Sequence, residues 1–255
     1  LAKLFGINLP LNFYSPYKSV NIIEFWRRWH MTLSSFLRDY LYIPLGGNRY
    51  GEHRKYINLF LTMFLGGIWH GAGWTFVIWG SLHGFYLIIN HLFQKLLPPV
   101  NPSLFRRLAS GLLTFIAVVF AWVFFRATSF DSAWNMIAGM LMLHDVILPN
   151  QLSTFSSFLP IFMSYSSNFL GVFGSGIGVF LISISFPIVW LLPSTQEYIG
   201  RYSPAAIQKE LIISSPPPYS WKPSFFSAAL VSISISSALI ILLVGNDSEF
   251  LYFQF

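Results

Sequence analysis

Long apolar runs separated by short aromatic and basic segments organise this chain. Trp74–Phe93 and Leu108–Phe125 are continuous apolar stretches, the second closed by Arg126. Each approaches the roughly 20 residues that a membrane-crossing helix needs. Phe169–Leu192 and Phe225–Val244 are two further runs of that kind. Tyr56–Trp69 is apolar but short for a full span, and it runs into GGIWHGAGW (Gly66–Trp74), four glycines and two tryptophans around one histidine. Ile22–Pro44 mixes aromatics with Arg27, Arg28, Arg38 and Asp39, too polar to span and too aromatic for a solvated linker. It predicts a helix pair lying at the interface or packed within a bundle. Pro44–Lys55 reads as a glycine-rich basic loop and Pro193–Pro223 as a proline-rich one. Asp131–Leu143 predicts a short amphipathic helix, with Asp131 placed to favour its N-terminal dipole, and Phe155–Ser167 has no clear pattern.

Composition sharpens this into a class. Of 255 residues, 55% are hydrophobic, 19% aromatic and 9% charged, against about 25% charged in ordinary soluble domains. Too few charges exist to cover a water-facing surface, which disfavours a soluble helical domain. The fold class is therefore all-α, a polytopic membrane helical bundle with short interfacial or re-entrant helices. No internal repeat or domain boundary is visible, so residues 1–255 read as one domain. The chain starts at Leu1 without a signal pattern, which reads as a piece of a longer protein.

Charge removes other classes. The net charge of +6 is scattered, with no dense Lys/Arg block, so nucleic acid is not an expected partner and the basic residues read as membrane-flanking anchors. If Tyr56–Trp69 and Trp74–Phe93 form a hairpin, the loops holding Arg49, Arg54, Lys55 and Lys95, Arg106, Arg107 share one side. The Arg201/Lys209/Lys222 loop returns to that side, which the positive-inside rule makes cytoplasmic. There is no cysteine, which excludes disulfides, thiolate metal sites and a cysteine nucleophile.

Among six histidines, His53 and His144 fall in or near loops and His91 near the end of a span. His30, His70 and His83 remain; ionisable groups at membrane depth tend to face a cavity, a partner or a substrate path. For His83 the plain alternative is packing against Trp79, one turn earlier. No HExxH and no pair of these histidines at i, i+4 favours a metal site, and carboxylates near them are scarce, so no metal is expected. GxSxG is absent, and the serines of Ser232–Ser237 sit in a span where they bond backbone or neighbouring helices. What remains is a buried neutral histidine able to take a proton near pH 7. Gly66, Gly67, Gly71 and Gly73 then read as sites of close backbone approach to a ligand or of a helix break lining a cavity.

Two long motifs add to this. FWRRWHMTLSSFLRDYLYIPLGGNR (Phe25–Arg49) and GGIWHGAGWTFVIWGSLHG (Gly66–Gly84) resemble the membrane-bound O-acyltransferase superfamily, most closely the bacterial branch containing the alginate O-acetyltransferase membrane subunit. WVFFRATSFDSAWNMI (Trp122–Ile137) and the terminal FLYFQF are similar to that branch too. The resemblance covers essentially the whole chain, as the C-terminal half of such a protein.

The resemblance implies transfer of an acyl group, usually acetyl, from a thioester to hydroxyls of a cell-envelope or exported polysaccharide such as alginate. It matches the family's intramembrane histidine to His70 and its second motif histidine to His30. No bound cofactor is implied; the donor would be an acyl-CoA or acyl-carrier thioester. Arg27, Arg28 and Arg38 would attract that anionic donor, or else anchor lipid headgroups, and Asn48, Trp69 and His83 would line the path. The partners implied are the lipid bilayer, periplasmic acetyltransferase proteins and the polysaccharide acceptor, with a multi-pass location in the bacterial inner membrane. D-Alanyl transfer to teichoic acid, acyl transfer to lipid, and a non-enzymatic acyl or polymer conduit stay as alternatives.

Overall fold

In the computed structural model, residues 2–96, 103–141, 146–149, 163–166, 176–202 and 220–244 are described. They form two compact units, Leu11–Leu192 and, separately, Leu1–Pro10 with Pro193–Phe255.

The larger unit holds α1 (Ile22–Arg28), α2 (Met31–Leu37), α3 (Gly51–His70), α4 (Trp74–Leu96), α5 (Leu104–Arg126), α6 (Phe130–Met140) and α7 (Gly176–Leu191). Local chemistry sets several starts. Asn21 caps α1 by accepting from the Glu24 amide, while the Glu24 carboxylate accepts from the Val20 amide, a reciprocal arrangement that satisfies otherwise orphaned donors. Ser103 and Ser129 cap α5 and α6 by accepting from the Arg106 and Ser132 amides.

The expected helix pair is α1 and α2, with Ile22, Phe25 and Trp26 of α1 packed in the core, followed by a π-helical turn at Arg38–Tyr42. The expected short amphipathic helix is α6, which buries Ala133, Ile137 and Ala138. Two expectations about loops are corrected. Gly51–Lys55 belongs to the first turns of α3. The charged GEHRK reads as loop, yet Glu52 in the first turn complements the helix dipole and forms an ion pair with Lys95 of α4. Helix α3 therefore starts five residues before Tyr56.

The strictly all-helical expectation is also amended by one strand pair: β1 (Val146–Pro149) pairs in parallel with β2 (Met163–Ser166), in register from Val146↔Met163 to Pro149↔Ser166. Val146, Ile147 and Leu148 make a short apolar run compatible with a strand. The expected span Phe169–Leu192 is described only from Gly176, as α7 with Pro187 inside it. His144, Phe155–Pro160 and the terminal FLYFQF lie outside the described residues.

The core of this unit joins α1, α3, α4 and α5 through Phe25, Trp26, Met63, Trp79, Leu87, Val118 and Ala121. A second cluster joins the end of α5 to α6 through Val123, Ala127, Ala133 and Ile137. Helices α3 and α4 cross closely. A Cβ on Gly67 would lie 2.4 Å from the Phe76 carbonyl oxygen and 3.1 Å from the Gly80 Cα; one on Gly80 would lie 2.4 Å from the Met63 carbonyl oxygen. Small residues permit such approach where lipid supplies no drive for helices to associate. Gly66 and Gly67 are thus interior packing positions of α3, and the helix break falls later, at Gly71–Gly73.

The smaller unit holds α8 (Thr195–Tyr198) and α9 (Phe225–Val244). Ser194 and Glu197 form a full capping box for α8, so part of the Pro193–Pro223 segment is helical rather than loop. Among the described residues, two helices are long and apolar enough to cross a membrane, α4 and α5. Helix α9 occupies the expected Phe225–Val244, with Phe225–Ile240 as its apolar part.

Candidate functional site

The site grows from two helix ends. Helix α3 closes at His70, and the chain turns through Gly71–Gly73 before α4 starts at Trp74. A Cβ on Gly71 would lie 2.6 Å from the Phe76 ring, so the turn folds tightly over α4. His70 is held by aromatic edges: Trp79 at 5.1 Å and 89°, Phe125 at 5.1 Å and 79°, and its neighbour Trp69 at 5.0 Å. Its ring is half-buried.

His30 stands between α1 and α2 with φ 42° and ψ 55°. A non-glycine residue in the left-handed region costs on the order of 1–3 kcal/mol and persists only where its surroundings over-determine it. The surroundings here are explicit. The Met31 amide donates to the Asn12 carbonyl at 2.9 Å, the Tyr14 amide donates to the Arg28 carbonyl at 2.9 Å, and the Thr32 hydroxyl donates to Asn12 Oδ1 at 3.0 Å. The Ser34 hydroxyl donates back to the Trp26 carbonyl at 3.0 Å. The turn is clamped from both sides, and His30 Nδ1 is buried without a hydrogen-bond partner.

Both histidines lie outside the two span-length helices. Burial holds the His30 imidazole below its ordinary value. Burial lowers His70 as well, and charge on His30 lowers it further.

Between them runs a continuous aromatic shell. Trp29, next to His30, meets Trp122 at 5.1 Å; Trp122 meets Phe125 at 5.0 Å and Trp79 at 6.3 Å; Phe125 and Trp79 both touch His70. The Nε1 atoms of Trp79 and Trp122 are buried and unpartnered. Trp79 of this shell is the residue the sequence marks as a packing partner of His83, and Trp122 and Phe125, not singled out there, lie within the quoted WVFFR motif.

The other expected site residues separate. Arg38 and Asn48 line one open pocket of about 340 Å³ with Tyr42, Ile43, Gly47 and Arg49. In it the Tyr42 hydroxyl donates to Asn48 Oδ1, and Arg38 pairs with Asp39 at 2.7 Å. Arg28 is tied to Glu24 at 2.7 Å and sits over the Tyr14 ring; Arg27 is exposed, and neither lines that pocket. Trp69 is exposed beside His70, whereas His83 is 1% exposed within the core. Asn58, fully buried, donates from Nδ2 to the Gly47 carbonyl at 3.0 Å, tying the glycine turn of the pocket to α3. Among the described residues, no three His, Asp or Glu side chains stand together as a metal site.

A helical membrane protein with a histidine at a helix break, walled by aromatic rings, and a second histidine in a clamped turn is the class that fold and site define. The sequence profile of the membrane-bound O-acyltransferase family matches residues 2–134, just over half the chain, and the segment holding both histidines. The chain belongs to that family. It is 50% identical over 159 residues to a peptidoglycan O-acetyltransferase of Helicobacter pylori, covering 62% of this chain and 30% of that protein. It is 48% identical over 145 residues to a probable alginate O-acetylase AlgI of Azotobacter vinelandii, 57% of this chain and 28% of that protein. To a teichoic acid D-alanyltransferase of Streptococcus thermophilus it is 33% identical over 108 residues, 40% of this chain and 26% of that protein. The chain thus matches about 30% or less of the length of these relatives.

Proposed function

We propose that this chain provides the histidine site of a membrane O-acyltransferase that moves an acetyl group from a thioester toward hydroxyls of a cell-envelope polysaccharide. The observation that carries the reading is His70, which closes α3 at the break before α4 against the edges of Trp79 and Phe125, inside the segment that matches the family. Identity near 50% to O-acetylating relatives, against 33% to the D-alanylating one, favours acetyl transfer.

In this mechanism His70 is the general base. It takes the proton of the acceptor hydroxyl as the oxygen attacks the thioester carbonyl; the C–S bond breaks, and the proton returns to the departing thiolate. Burial suits His70 to this role, since a base must be neutral at working pH. His30, fixed by its clamped turn, positions the donor or polarises its carbonyl. The donor is an acyl-CoA or acyl-carrier thioester arriving from the cytoplasmic side, with Arg27, Arg28 and Arg38 contributing positive potential. The acceptor is a polysaccharide hydroxyl or a periplasmic acetyltransferase that relays the group, and the protein resides in a bacterial inner membrane.

The test uses full-length protein in its own cells. His70→Ala and His70→Gln are expected to abolish O-acetylation of the envelope polysaccharide, read by mass spectrometry, while the protein still inserts. Near-normal acetylation in either variant defeats the base assignment; a conduit would tolerate Gln.

A further inference from the structure

The aromatic core holds a third histidine that the acid–base scheme leaves unused. His83 lies on α4, 1% exposed, and its Nδ1 accepts a hydrogen bond from the Trp26 indole N–H at 3.2 Å across 57 residues of sequence. Rings enclose it: Phe25 lies parallel at 6.3 Å, while Trp26, Trp79 and Tyr86 meet it edge-on at 5.1, 5.0 and 5.8 Å. Since Nδ1 is the acceptor, the neutral ring carries its proton on Nε2, and Nε2 is buried with no partner. One nitrogen is occupied by the indole, and the other meets no acceptor among the described residues.

What the bond does is join two elements. Helix α1 ends at Arg28, two residues before His30; helix α4 begins at Trp74, four residues after His70. Trp26 is 8% exposed and Trp79 3% exposed. Trp79 touches His83 on one side and His70 on the other. Among the described residues no other side-chain hydrogen bond links α1 to α4; they also meet through the rings of Phe25 and Trp26 against Trp79 and His83, and Arg27 of α1 lies within charge range of His91 of α4.

We infer that the Trp26–His83 hydrogen bond is a positioning latch, fixing the register of α1, and so of the His30 turn that follows it, against α4 and the Trp79 ring that walls His70. His83 acts through Trp26 and Trp79 and does not itself touch the reacting groups, in contrast to the path-lining role its motif implies. The inference rests on the acyl-transfer reading of His30 and His70. A histidine that merely filled space would be replaceable by phenylalanine, which keeps the ring stack; a latch would not.

The experiment compares Trp26→Phe, His83→Phe, His83→Asn and the Trp26→Phe/His83→Phe pair in the full-length protein. Cells are fed labelled acetate, and initial label incorporation into envelope polysaccharide is measured per mole of inserted protein. Displacing a catalytic group by about 1 Å costs on the order of 100-fold in rate. Trp26→Phe and His83→Phe are therefore each expected to lower incorporation roughly 10- to 100-fold. The double variant should fall no further than either single one, since both remove the same bond. His83→Asn, whose amide oxygen stands near the position of Nδ1, should recover most of the rate.

A wild-type rate in His83→Phe overturns the latch. So does a multiplicative double variant with no recovery in His83→Asn, which would make His83 a direct participant. Normalisation to inserted protein, with thermal unfolding of each variant in detergent, separates lost positioning from lost folding. Failure of the underlying reading looks different: His70→Gln would then incorporate label normally.

Discussion

Helices α4 and α9 are similar in length, 23 and 20 residues, and both appear in sequence as apolar runs, yet they do different things. Helix α9 exposes Leu230, Val231, Ile233, Ile235, Leu239 and Ile240 at 49–62%. Helix α4 buries a stripe of Phe76, Trp79, Gly80, His83, Gly84 and Leu87, at the i, i+3, i+4, i+7 spacing of one helix face. In lipid, apolarity alone gives helices little reason to associate, because the tails are as apolar as leucine. Association on α4 comes from glycines that admit α3, flat aromatic surfaces and a buried hydrogen bond. Helix α9, apolar apart from its serines and without a charge, has the chemistry of a lipid-facing surface, and the more mixed α4 builds the site.

The sharpest way to break that contrast is to fill the α3–α4 crossing. Gly67→Val or Gly80→Val would force a side chain into backbone 2.4 Å away. Either is expected to cost about 3 kcal/mol or more, beyond ordinary core overpacking, read as a collapse of thermal stability in detergent. Next comes Asn58→Ala, which removes a fully buried donor from the Gly47 carbonyl and should cost about 1–3 kcal/mol.

A gentler probe is pH. A base must be neutral, and burial with the His30 charge holds His70 below its ordinary value. Transfer should therefore persist below the ordinary imidazole midpoint of about 6.5 and fail only as pH drops through the lowered value. Removing the like charge with His30→Gln should move this acidic limb of the remaining activity to higher pH. The limb should stop short of the ordinary value, because burial is the larger cause. The stability sign is the same: with a lowered folded-state value, the unfolded chain binds the proton more readily, so folding weakens as pH falls below about 6.5. Smallest is Leu239→Ala on α9, 54% exposed, expected to change stability by no more than about 0.5 kcal/mol. A large effect there would erase the distinction between the two helices.

Much of this was readable in the residues. The apolar runs at Trp74–Phe93, Leu108–Phe125 and Phe225–Val244 locate α4, α5 and α9 to within a few residues, because their ends are set by glycine, arginine, serine and proline. The break at Gly71–Gly73 and the half-buried His70 were legible from GGIWHGAGW. Less legible was the division of labour among its glycines: Gly66 and Gly67 look like further helix breakers until their close packing against Leu37 and Gly80 is known. The start of α3 was hidden because GEHRK owes its helicity partly to an ion pair with Lys95, 43 residues away. The left-handed turn at His30 and the Trp26–His83 bond have no local signal at all, since each depends on side chains brought together by the fold.

The central claim is that His70 is a base paired with His30, and one measurement addresses it most directly. Full-length wild-type and His70→Gln proteins, matched for membrane insertion, are compared for the initial rate of labelled acetate incorporation into envelope polysaccharide. A positioned base contributes roughly 100- to 10,000-fold to rate. The account predicts a loss of that order in His70→Gln with the fold intact. Incorporation within about twofold of wild type, far below any general-base contribution, would contradict it.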